Sequence, residues 1–441
     1  MTMPPTAIAV RRDASDAEPT PAKGAWLALG LLSLIYMLNF MDRQILSVLI
    51  EPVRKDIAFS DTEIGLLTGT LFALCYSALT VPIAMLADRW NRVRIVAAGC
   101  FLWSLFTGLS GTATSFIHLA AARLGVAFGE AGGVAPSLSL LGDLFPPRRR
   151  VLAIAIFTCF SPVGVLVGTT AGGLIAAAWG WRAAFLFAAA LGIVMTPILL
   201  LCVREPLRGR FDRPTVKAQR TSFGETLALF AKLPSLAWLA ITCGVYAMVG
   251  NGLLTWMPAL LMRTHGASVR DVALYYGPMV GISLIVGTIL SGVVVTRMES
   301  RSIKAYALVP AGAMALCAPL FLFALTSESW QSMLLWLFVP IALMNFVIAP
   351  ALSLIQHLAP ADARSTASAL LMLVLNLVGI GLGPLLIGMV SDALAASEGT
   401  RSVHIAMMTV IGPLMVATVL LLLMVARHLA RDHQRVLDGD V

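Results

Sequence analysis

The segment Asn-Phe-Met-Asp-Arg-Gln at residues 39–44 places an acid, a base and two amides inside an apolar run from Trp26 to Ile50. A run of this length can cross a bilayer, whose hydrocarbon core takes about 20 helical residues. Each charge at the bilayer centre costs ~2.5–3.5 kcal/mol on insertion scales. A helix can carry such charges where they face a partner helix or a watery cavity. The segment therefore predicts a transport site, for which the rest of the chain must supply the partner and the cavity.

The composition is typical of a polytopic helical membrane protein. Of the 441 residues, 59% are hydrophobic and 12% are charged, whereas soluble domains have about 25% charged residues. The net charge of +8 comes from basic residues in loops between apolar segments, so the expected partner is the lipid bilayer and not nucleic acid. The six cysteines occur singly with no CxxC pair, so neither a disulfide framework nor a metal site is predicted.

Twelve apolar spans predict twelve transmembrane helices and an all-α fold. Each span has about the 20 residues that a bilayer crossing requires, with allowance for tilt. The predicted spans are 25–50, 62–87, 93–114, 117–142, 151–178, 183–203, 236–262, 271–296, 303–325, 329–357, 366–391 and 402–427.

Lysine and arginine residues in the loops predict the orientation. With the N-terminus inside, 23 of them fall on the inner side and 6 on the outer side, and the remaining two, Arg43 and Arg123, lie within spans. Because cytoplasmic loops carry the excess of positive charge, both termini are predicted to be cytoplasmic. The compact loops and short tails are typical of a bacterial protein, which predicts a multi-pass location in the inner (plasma) membrane.

The longest loop, residues 204–234, is basic, contains three prolines and divides the chain into two halves of six spans. The predicted domains are a cytoplasmic N-terminal tail (1–24), an N-terminal six-helix bundle (25–203), a cytoplasmic linker (204–234), a C-terminal six-helix bundle (235–427) and a cytoplasmic C-terminal tail (428–441). Since little of the chain lies outside the membrane, a monomer is expected to be complete.

The two halves repeat a short pattern. Pro146, Arg150 and Ala153 recur 214 positions later as Pro360, Arg364 and Ala367. Both sets lie between the fourth and fifth spans of their half, and duplicated halves around a substrate path are a known transporter plan. The same shift pairs Asp42 with Trp256.

The fourth span carries the charges that are expected to meet those of the first. Arg123 and Glu130 are seven residues apart, so two helical turns place them on nearly the same face. Asp42 and Arg43 are expected to meet them in one watery pocket, with Asn39 in the same network. The alternative is a static network of salt bridges that only joins the two helices.

Asp42 and Glu130 are the predicted proton-coupling residues. Because arginine keeps its charge, protonation of either acid would release an arginine to hold an anionic group of a substrate. Such coupling needs no cofactor other than a proton gradient. No Gly-x-x-x-x-Gly-Lys-Ser/Thr loop occurs, and no catalytic or metal-binding constellation stands out. The sequence therefore predicts a secondary transporter and neither a primary pump nor an enzyme.

The second half offers no charge in the span that corresponds to the first. Its seventh span supplies Tyr246, Asn251 and Trp256 as predicted substrate contacts. A cavity that is charged on one side and largely apolar and aromatic on the other suits an amphipathic or anionic small molecule. For any single aromatic residue, ordinary bundle packing or anchoring at the membrane interface is the simpler interpretation.

The loop after the second span reads Leu-Ala-Asp-Arg-Trp-Asn-Arg-Val-Arg at residues 86–94 and resembles the signature loop Gly-x-Leu-Ala-Asp-Arg-x-Gly-Arg-Arg of the major facilitator superfamily. Ala84 and Asn91 stand where the signature has glycine. The fifth span is similar to the glycine-rich fifth helix of that superfamily, with Pro162, Gly164, Gly168 and Gly172. The resemblance implies twelve helices in two pseudo-symmetric six-helix bundles, and the glycines are expected to let another backbone approach closely.

The same loop predicts a charge latch that closes a cytoplasmic gate. Asp88, at the end of the second span, can pair with loop arginines and with the N-terminus of a neighbouring helix. The candidate basic partners are Arg89, Arg92 and Arg150. The alternative is a solvated loop whose arginines only set the topology.

Within the superfamily, residues 39–43 resemble the first helix of the spinster-like branch, whose members export sphingosine-1-phosphate or move lysophospholipids. The resemblance implies Asp42 as proton site, Arg43 as its partner, and Arg123 and Glu130 as the helix 4 charges of the same site. Proton symporters of organic anions and sugar acids also carry charges in helices 1 and 4, so they remain an alternative. A non-transporting membrane receptor on this fold is a further one.

Overall fold

The computed structural model describes residues 20–211, 223–360 and 363–438. Most of the predicted N-terminal tail, part of the predicted linker and the last three residues lie outside these ranges. Within them the chain is almost entirely helical and forms no strand. The prediction of an all-α fold is confirmed.

Twelve long helices form the body of the described chain. All fall within segments long and apolar enough to cross a membrane, so the predicted number of spans is confirmed. The helices are α1 (Ala25–Asp56), α2 (Asp61–Ala87), α3 (Arg92–Gly111), α4 (Phe116–Leu144), α5 (Pro147–Trp179), α6 (Trp181–Cys202), α7 (Pro234–His265), α8 (Val269–Glu299), α9 (Ala305–Leu325), α10 (Trp330–Leu358), α11 (364–398) and α12 (Ser402–Leu437). The first six form the N-terminal half and the last six the C-terminal half.

Five of these helices contain an irregular turn. α2, α8 and α11 each include a π-helical segment, at Leu66–Leu71, Val272–Tyr276 and Leu375–Ile380. α4 and α10 are broken by a turn at 131–133 and at 345–347. These two breaks are 214 positions apart, which makes α4 and α10 equivalent elements of the two halves.

The glycines of α5 pack directly against the backbone of α1. A Cβ atom at Gly164 would lie 2.5 Å from the carbonyl oxygen of Met37, and one at Gly168 would lie 2.6 Å from that of Met41. Any larger residue would push the two helices apart. The predicted close approach of another backbone to these glycines is confirmed, and it holds the segment at residues 39–44 firmly in the N-terminal half.

The equivalence of Asp42 with Trp256 is wrong. α1 and α7 have 32 residues each and begin 209 positions apart, and the serines that form capping boxes before α2 and α8, Ser60 and Ser268, are 208 apart. The shift grows to 214 only afterwards, because α8 has 31 residues against 27 for α2, the next loop is one residue longer, and α9 has 21 residues against 20 for α3. Asp42 therefore corresponds to Asn251.

The linker and the C-terminal end are more ordered than the sequence predicts. A helix that was not predicted, Phe223–Lys232, lies within the linker, and α12 continues ten residues past the predicted end at 427. The continuation is held in place because the Asp432 carboxylate accepts a 2.8 Å hydrogen bond from the backbone N–H of Ser235. In addition, Arg435 donates to the carbonyl of Lys232.

Candidate functional site

Asp42 and Arg123 form a buried ion pair between α1 and α4. Arg123 Nη1 lies 3.0 Å from Asp42 Oδ2, and the hydroxyl of Thr107 on α3 donates to Asp42 Oδ1 at 2.7 Å. Asp42 is 2% exposed and Arg123 is 4% exposed. Each carboxylate oxygen thus has a donor, as a buried charge requires.

Arg43 and Glu130 form a second ion pair between the same two helices. Arg43 Nε donates to Glu130 Oε2 at 2.7 Å. Glu130 is fully buried, whereas the side chain of Arg43 is 21% exposed. The other carboxylate oxygen of Glu130 has no hydrogen-bond partner in the described part of the chain.

The structure brings together the four charged residues that the sequence singled out. They form two ion pairs, because the two consecutive and oppositely charged residues of α1 each take a different partner on α4. The arrangement differs from the expectation of one watery pocket, because both carboxylates are sealed in this conformation. Of the four side chains only that of Arg43 is partly exposed, at 21%, and we call its exposed side the opening. The cause is close packing: α1 lies against the glycines of α5, and Gly129, next to Glu130, lies against the backbone of α3, where an added Cβ atom would be 2.5 Å from the nitrogen of Trp103.

Asn39 lies one helical turn before Arg43 and is buried, with neither amide atom partnered among the described residues. Its side chain lines a cavity of about 10 Å³ together with Tyr36, Trp103 and Ser137. That volume is about what a single water molecule needs. No direct bond joins Asn39 to the four charges in the described ranges.

The predicted contacts of α7 are engaged within the C-terminal half. Tyr246 donates to Asn345 at 3.3 Å, and the Asn251 amide donates to the carbonyl of Ala247 one turn earlier. Trp256 is fully buried, and its indole N–H donates to the carbonyl of Pro384 on α11 at 2.9 Å. Trp256 is thus a packing residue in this conformation, and a substrate contact for it stays a prediction.

Two faces of the molecule can be distinguished. The terminal face carries both ends of the chain, since twelve crossings return it to the side where it began, and the opposite face carries the loops between α1 and α2 and between α7 and α8. Near the middle, the Gln44 amide donates to the carbonyl of Leu254 and so links α1 to α7 across the two halves.

A charged cluster joins the two halves at the opposite face. Arg263 of α7 lies 2.6 Å from Glu51 of α1 and 2.7 Å from Asp61 of α2. Arg54 also pairs with Asp61, and the hydroxyl of Ser391 on α11 donates to the same carboxylate. We call this cluster, together with Asp392, the opposite-face lock.

Asp392 adds a second kind of contact to the lock. Its carboxylate accepts hydrogen bonds from the backbone N–H groups of Asp61 at 2.9 Å and Thr62 at 2.7 Å. These are the first residues of α2, so a residue of the C-terminal half caps a helix of the N-terminal half. The free N–H groups and positive end of a helix favour such an acid. The two halves are therefore closed together at this face.

The predicted latch at the terminal face has a different composition. Arg92 pairs with Asp143 at 2.6 Å and with Glu205 at 2.7 Å. Asp88 and Arg89 are exposed, and the Asp88 carboxylate takes part in no ion pair within the described ranges. Among the described residues the acids that pair with Arg92 are therefore Asp143 and Glu205 and not Asp88, whose part in a latch stays a prediction.

Two other arginines of this face bond to backbone carbonyls near helix ends. Arg208 donates to the backbone carbonyls of Asp88 and its neighbours at the end of α2. Arg150 donates to the carbonyl of Gly142 at 2.6 Å. Arg92, Asp143, Glu205 and Arg208 all belong to the N-terminal half or the loop directly after it. This cluster braces that half and does not join the two halves.

Sequence reasoning missed Thr107, Asp143, Glu205 and the opposite-face lock. Asp143 has a visible signal, as the acid in the last turn of an apolar helix beside a basic loop. Serines and threonines inside spans mostly bond to their own helix, as Thr169 does to the carbonyl of Val165. The sequence therefore gave no reason to single out Thr107.

Comparisons with known proteins agree with this architecture. The family model of the Major Facilitator Superfamily matches residues 32–384. An MFS-type efflux pump of Mycolicibacterium smegmatis is 31% identical, with 93% of this chain and 94% of that protein covered. The sphingosine-1-phosphate transporter SPNS2 of Danio rerio is 27% identical, with 86% of this chain and 78% of that protein covered.

A solved structure extends the likeness to three dimensions. A bacterial homologue of the human lysosomal transporter Spinster, in an inward-facing and unoccupied conformation, matches with a TM-score of 0.81 and 29% identity. The match covers 95% of this chain and 98% of that one. Twelve helices in two halves, buried charges in α1 and α4, and these similarities lead to one conclusion: the chain belongs to the Major Facilitator Superfamily of membrane transporters and is similar to its spinster proteins.

Proposed function

We propose that this protein is a proton-coupled secondary transporter that moves an amphipathic or anionic small molecule by alternating access. Its terminal face is cytoplasmic, in keeping with the 23 basic residues on that side against 6 on the other, and its membrane is the inner membrane of a bacterium. The proton gradient is the only energy source that the proposal requires. The relatives include an efflux pump and a sphingosine-1-phosphate transporter, which supports the proposed substrate class.

The pair of Glu130 and Arg43 carries the proposal. Glu130 is fully buried, and among the described residues its only charged partner at hydrogen-bond distance is Arg43, the one of the four charged side chains that is partly exposed. While Glu130 is ionised, it neutralises Arg43. Once Glu130 takes up a proton, Arg43 keeps its charge and is free to bind an anion. A proton and an anionic substrate would then occupy the site together.

The Asp42 and Arg123 pair has a different part in this proposal. Both side chains are sealed, and Thr107 adds a second bond to Asp42. Asp42 is released only when helix packing changes, so its proton exchange belongs to the conformational step. Glu130 would respond first, because its partner is already open at one side. Ionisable groups inside a membrane mark transport pathways by default, which favours this interpretation over a static network.

Flux measurements in proteoliposomes test the proposal. The substrates are sphingosine-1-phosphate, a lysophospholipid and a short organic anion, each followed with and without an imposed pH gradient. We expect flux from the acidic side to be accelerated in the wild type. Glu130→Gln and Asp42→Asn should lose this acceleration, and Glu328→Gln, in an exposed loop far along the chain, serves as the matched control.

The outcomes separate the alternatives. If both acid-to-amide variants transport at wild-type rates with unchanged pH dependence, the proton-coupling proposal fails. If only the short organic anion moves, the protein is an organic-anion symporter of the same superfamily. If wild-type vesicles move none of the three substrates under either gradient, the proposed substrate class is wrong.

A further inference from the structure

The guanidinium group of Arg43 lies among three aromatic rings. Its central carbon is 4.8 Å from the ring centroid of Phe72, 5.0 Å from that of Tyr76 and 5.6 Å from that of Phe40. All three distances are within the ~6 Å over which a ring face attracts a cation. We call Phe40, Phe72 and Tyr76 the aromatic clamp.

The rings of the aromatic clamp are themselves held in place. Phe72 and Tyr76, one turn apart on α2, are both buried and nearly parallel, at an interplanar angle of 12°. Phe40 meets Tyr36 edge-on at 5.1 Å, and Tyr36 stacks on Phe157 of α5 at 4.4 Å. Three helices of the N-terminal half thus fix the position of the clamp.

The two arginines within the spans differ in the contacts that hold their guanidinium groups. Arg123 is 4% exposed, pairs with Asp42, and has no ring over its guanidinium among the described residues. Arg43 is held twice, by the ion pair with Glu130 and by the aromatic clamp. Neutralisation of Glu130 removes the first contact and leaves the second, since the attraction of a ring for a cation does not depend on Glu130.

We propose that Phe72 and Tyr76 are positioning residues that keep the Arg43 guanidinium at the opening when Glu130 is neutral, so that Arg43 and not Arg123 binds the anionic group of the substrate. This inference rests on the proposed function and names the residues that make its binding step possible. Without the clamp, a released Arg43 side chain would be free to swing through many rotamers, and ordering it again would weaken binding.

The guanidinium that the clamp holds also selects the head group. Its N–H donors form a planar fork that matches two oxygens of a phosphate or a carboxylate. The site therefore favours a substrate whose head group is an oxyanion over one with an uncharged hydroxyl head.

Binding to the full-length protein in lipid nanodiscs tests this inference. The probes are a lysophosphatidate and the monoacylglycerol with the same acyl chain, which differ only in the phosphate. In a Glu130→Gln background the ion pair is lost and the clamp is the main hold on the Arg43 charge, so adding Phe72→Leu or Tyr76→Leu should weaken lysophosphatidate binding by about tenfold. In the presence of Glu130 at neutral pH the same changes should have a smaller effect.

Two comparisons exclude a merely structural cause. Tyr76→Phe retains the ring, so it should restore the affinity that Tyr76→Leu loses. Phe101→Leu, on the lipid-facing side of α3 where the ring is 45% exposed, is the matched control and should leave binding unchanged. Binding of the monoacylglycerol should be the same in all variants, because it presents no anion to Arg43.

The following binding results would contradict the inference. If Phe72→Leu and Tyr76→Leu leave lysophosphatidate binding of Glu130→Gln unchanged, the positioning role is wrong. If, in the Glu130→Gln background, Arg123→Lys abolishes the preference for phosphate while Arg43→Lys retains it, or if Glu130→Gln itself binds both probes equally or neither, the assignment of Arg43 is wrong. Flux that ignores the pH gradient would overturn the proposed function alone, because these binding comparisons do not depend on a gradient.

Discussion

Helices α4 and α10 have the same shape and opposite chemistry. Both begin at a serine N-cap and both break at the same place, 214 positions apart. Where α4 carries Arg123 and Glu130, α10 carries Leu337 and Met344, and all four side chains are buried. The fold therefore does not need charges at these positions, since the second half builds the same helix without them.

The partner positions show the same contrast. Thr107, which bonds to Asp42, corresponds to the fully buried Phe321, and Asp42 corresponds to Asn251, which bonds only to its own helix. The C-terminal half thus replaces the whole network with apolar residues and one amide. The comparison argues against a purely structural role for the ion pairs, which supports the proposal that the charges serve the transport step.

Giving the N-terminal half the residues of its counterpart should produce the largest effect. Arg123→Leu alone leaves Asp42 charged, buried and without its ion-pair partner, which should destabilise the protein by ~3–5 kcal/mol. Adding Asp42→Asn recreates the Asn251 and Leu337 combination and should recover most of that loss. The free energy of unfolding in denaturant measures stability, and proteoliposome flux should show that the response to pH stays abolished.

A double variant no more stable than Arg123→Leu would break this comparison. It would mean that the two halves differ in more than the ion pair, for example in packing around α3. Asn251→Ala in the C-terminal half is the control, and it should cost about 1 kcal/mol because it removes one hydrogen bond to its own helix.

The two faces offer the next contrast, because the opposite-face lock joins the halves and the Arg92 cluster braces only one. Arg263→Gln removes the cation that bonds to both Glu51 and Asp61. Since hydrogen bonds to charged groups contribute ~1.5–3 kcal/mol each, the population open at the opposite face should rise by about 100-fold. Hydrogen exchange of the Asp61 and Thr62 amides measures this opening.

The control for this prediction is Arg182→Gln at the same face. Arg182 pairs with Asp56 within the N-terminal half, so its loss should leave exchange of the α2 amides unchanged. Equal acceleration in both variants would show that the face responds to loss of charge in general and not to the lock.

The smallest effect is expected at two equivalent positions that both carry a hydrogen-bonded polar residue. Arg92 bonds to Asp143 and Glu205, and 214 positions later Tyr306 bonds to His357 and Glu299. Arg92→Gln should cost more than Tyr306→Phe, by about the ~1.5–3 kcal/mol of one hydrogen bond to a charged group, because Arg92 bonds to two carboxylates and Tyr306 to only one. Denaturant unfolding of the two single variants measures the difference, and a larger loss for Tyr306→Phe would reverse the ranking.

The charges of α1 and α4 could be predicted from the sequence because a charge inside an apolar span is rare and has to be compensated. The sequence could also indicate which helices meet. It could not show that the consecutive residues Asp42 and Arg43 would take separate partners, since that depends on how α4 is rotated against α1. It also could not show that close packing would seal both acids.

The opposite-face lock could not be predicted for a different reason. Glu51, Arg54, Asp61 and Arg263 lie at the ends of spans, where charges are normally solvated and mark only the limit of the membrane. Their burial arises when α2 and α11 close together, which only the tertiary structure contains. The same limit made Asp88, within a recognisable loop pattern, look a better partner for Arg92 than Asp143.

The π-helical segment Leu66–Leu71 sets the angular phase of α2. Before and within it, Gly65 and Gly69 lie against the backbone of α11, and directly after it Phe72 and Tyr76 lie against Arg43. A single-residue deletion inside this segment would rewind it to ordinary α-helix and rotate everything downstream by about 100°. The one extra residue of this π-helical turn therefore sets, on a single helix, the relative orientation of the glycine contact between the halves and of the aromatic clamp around Arg43.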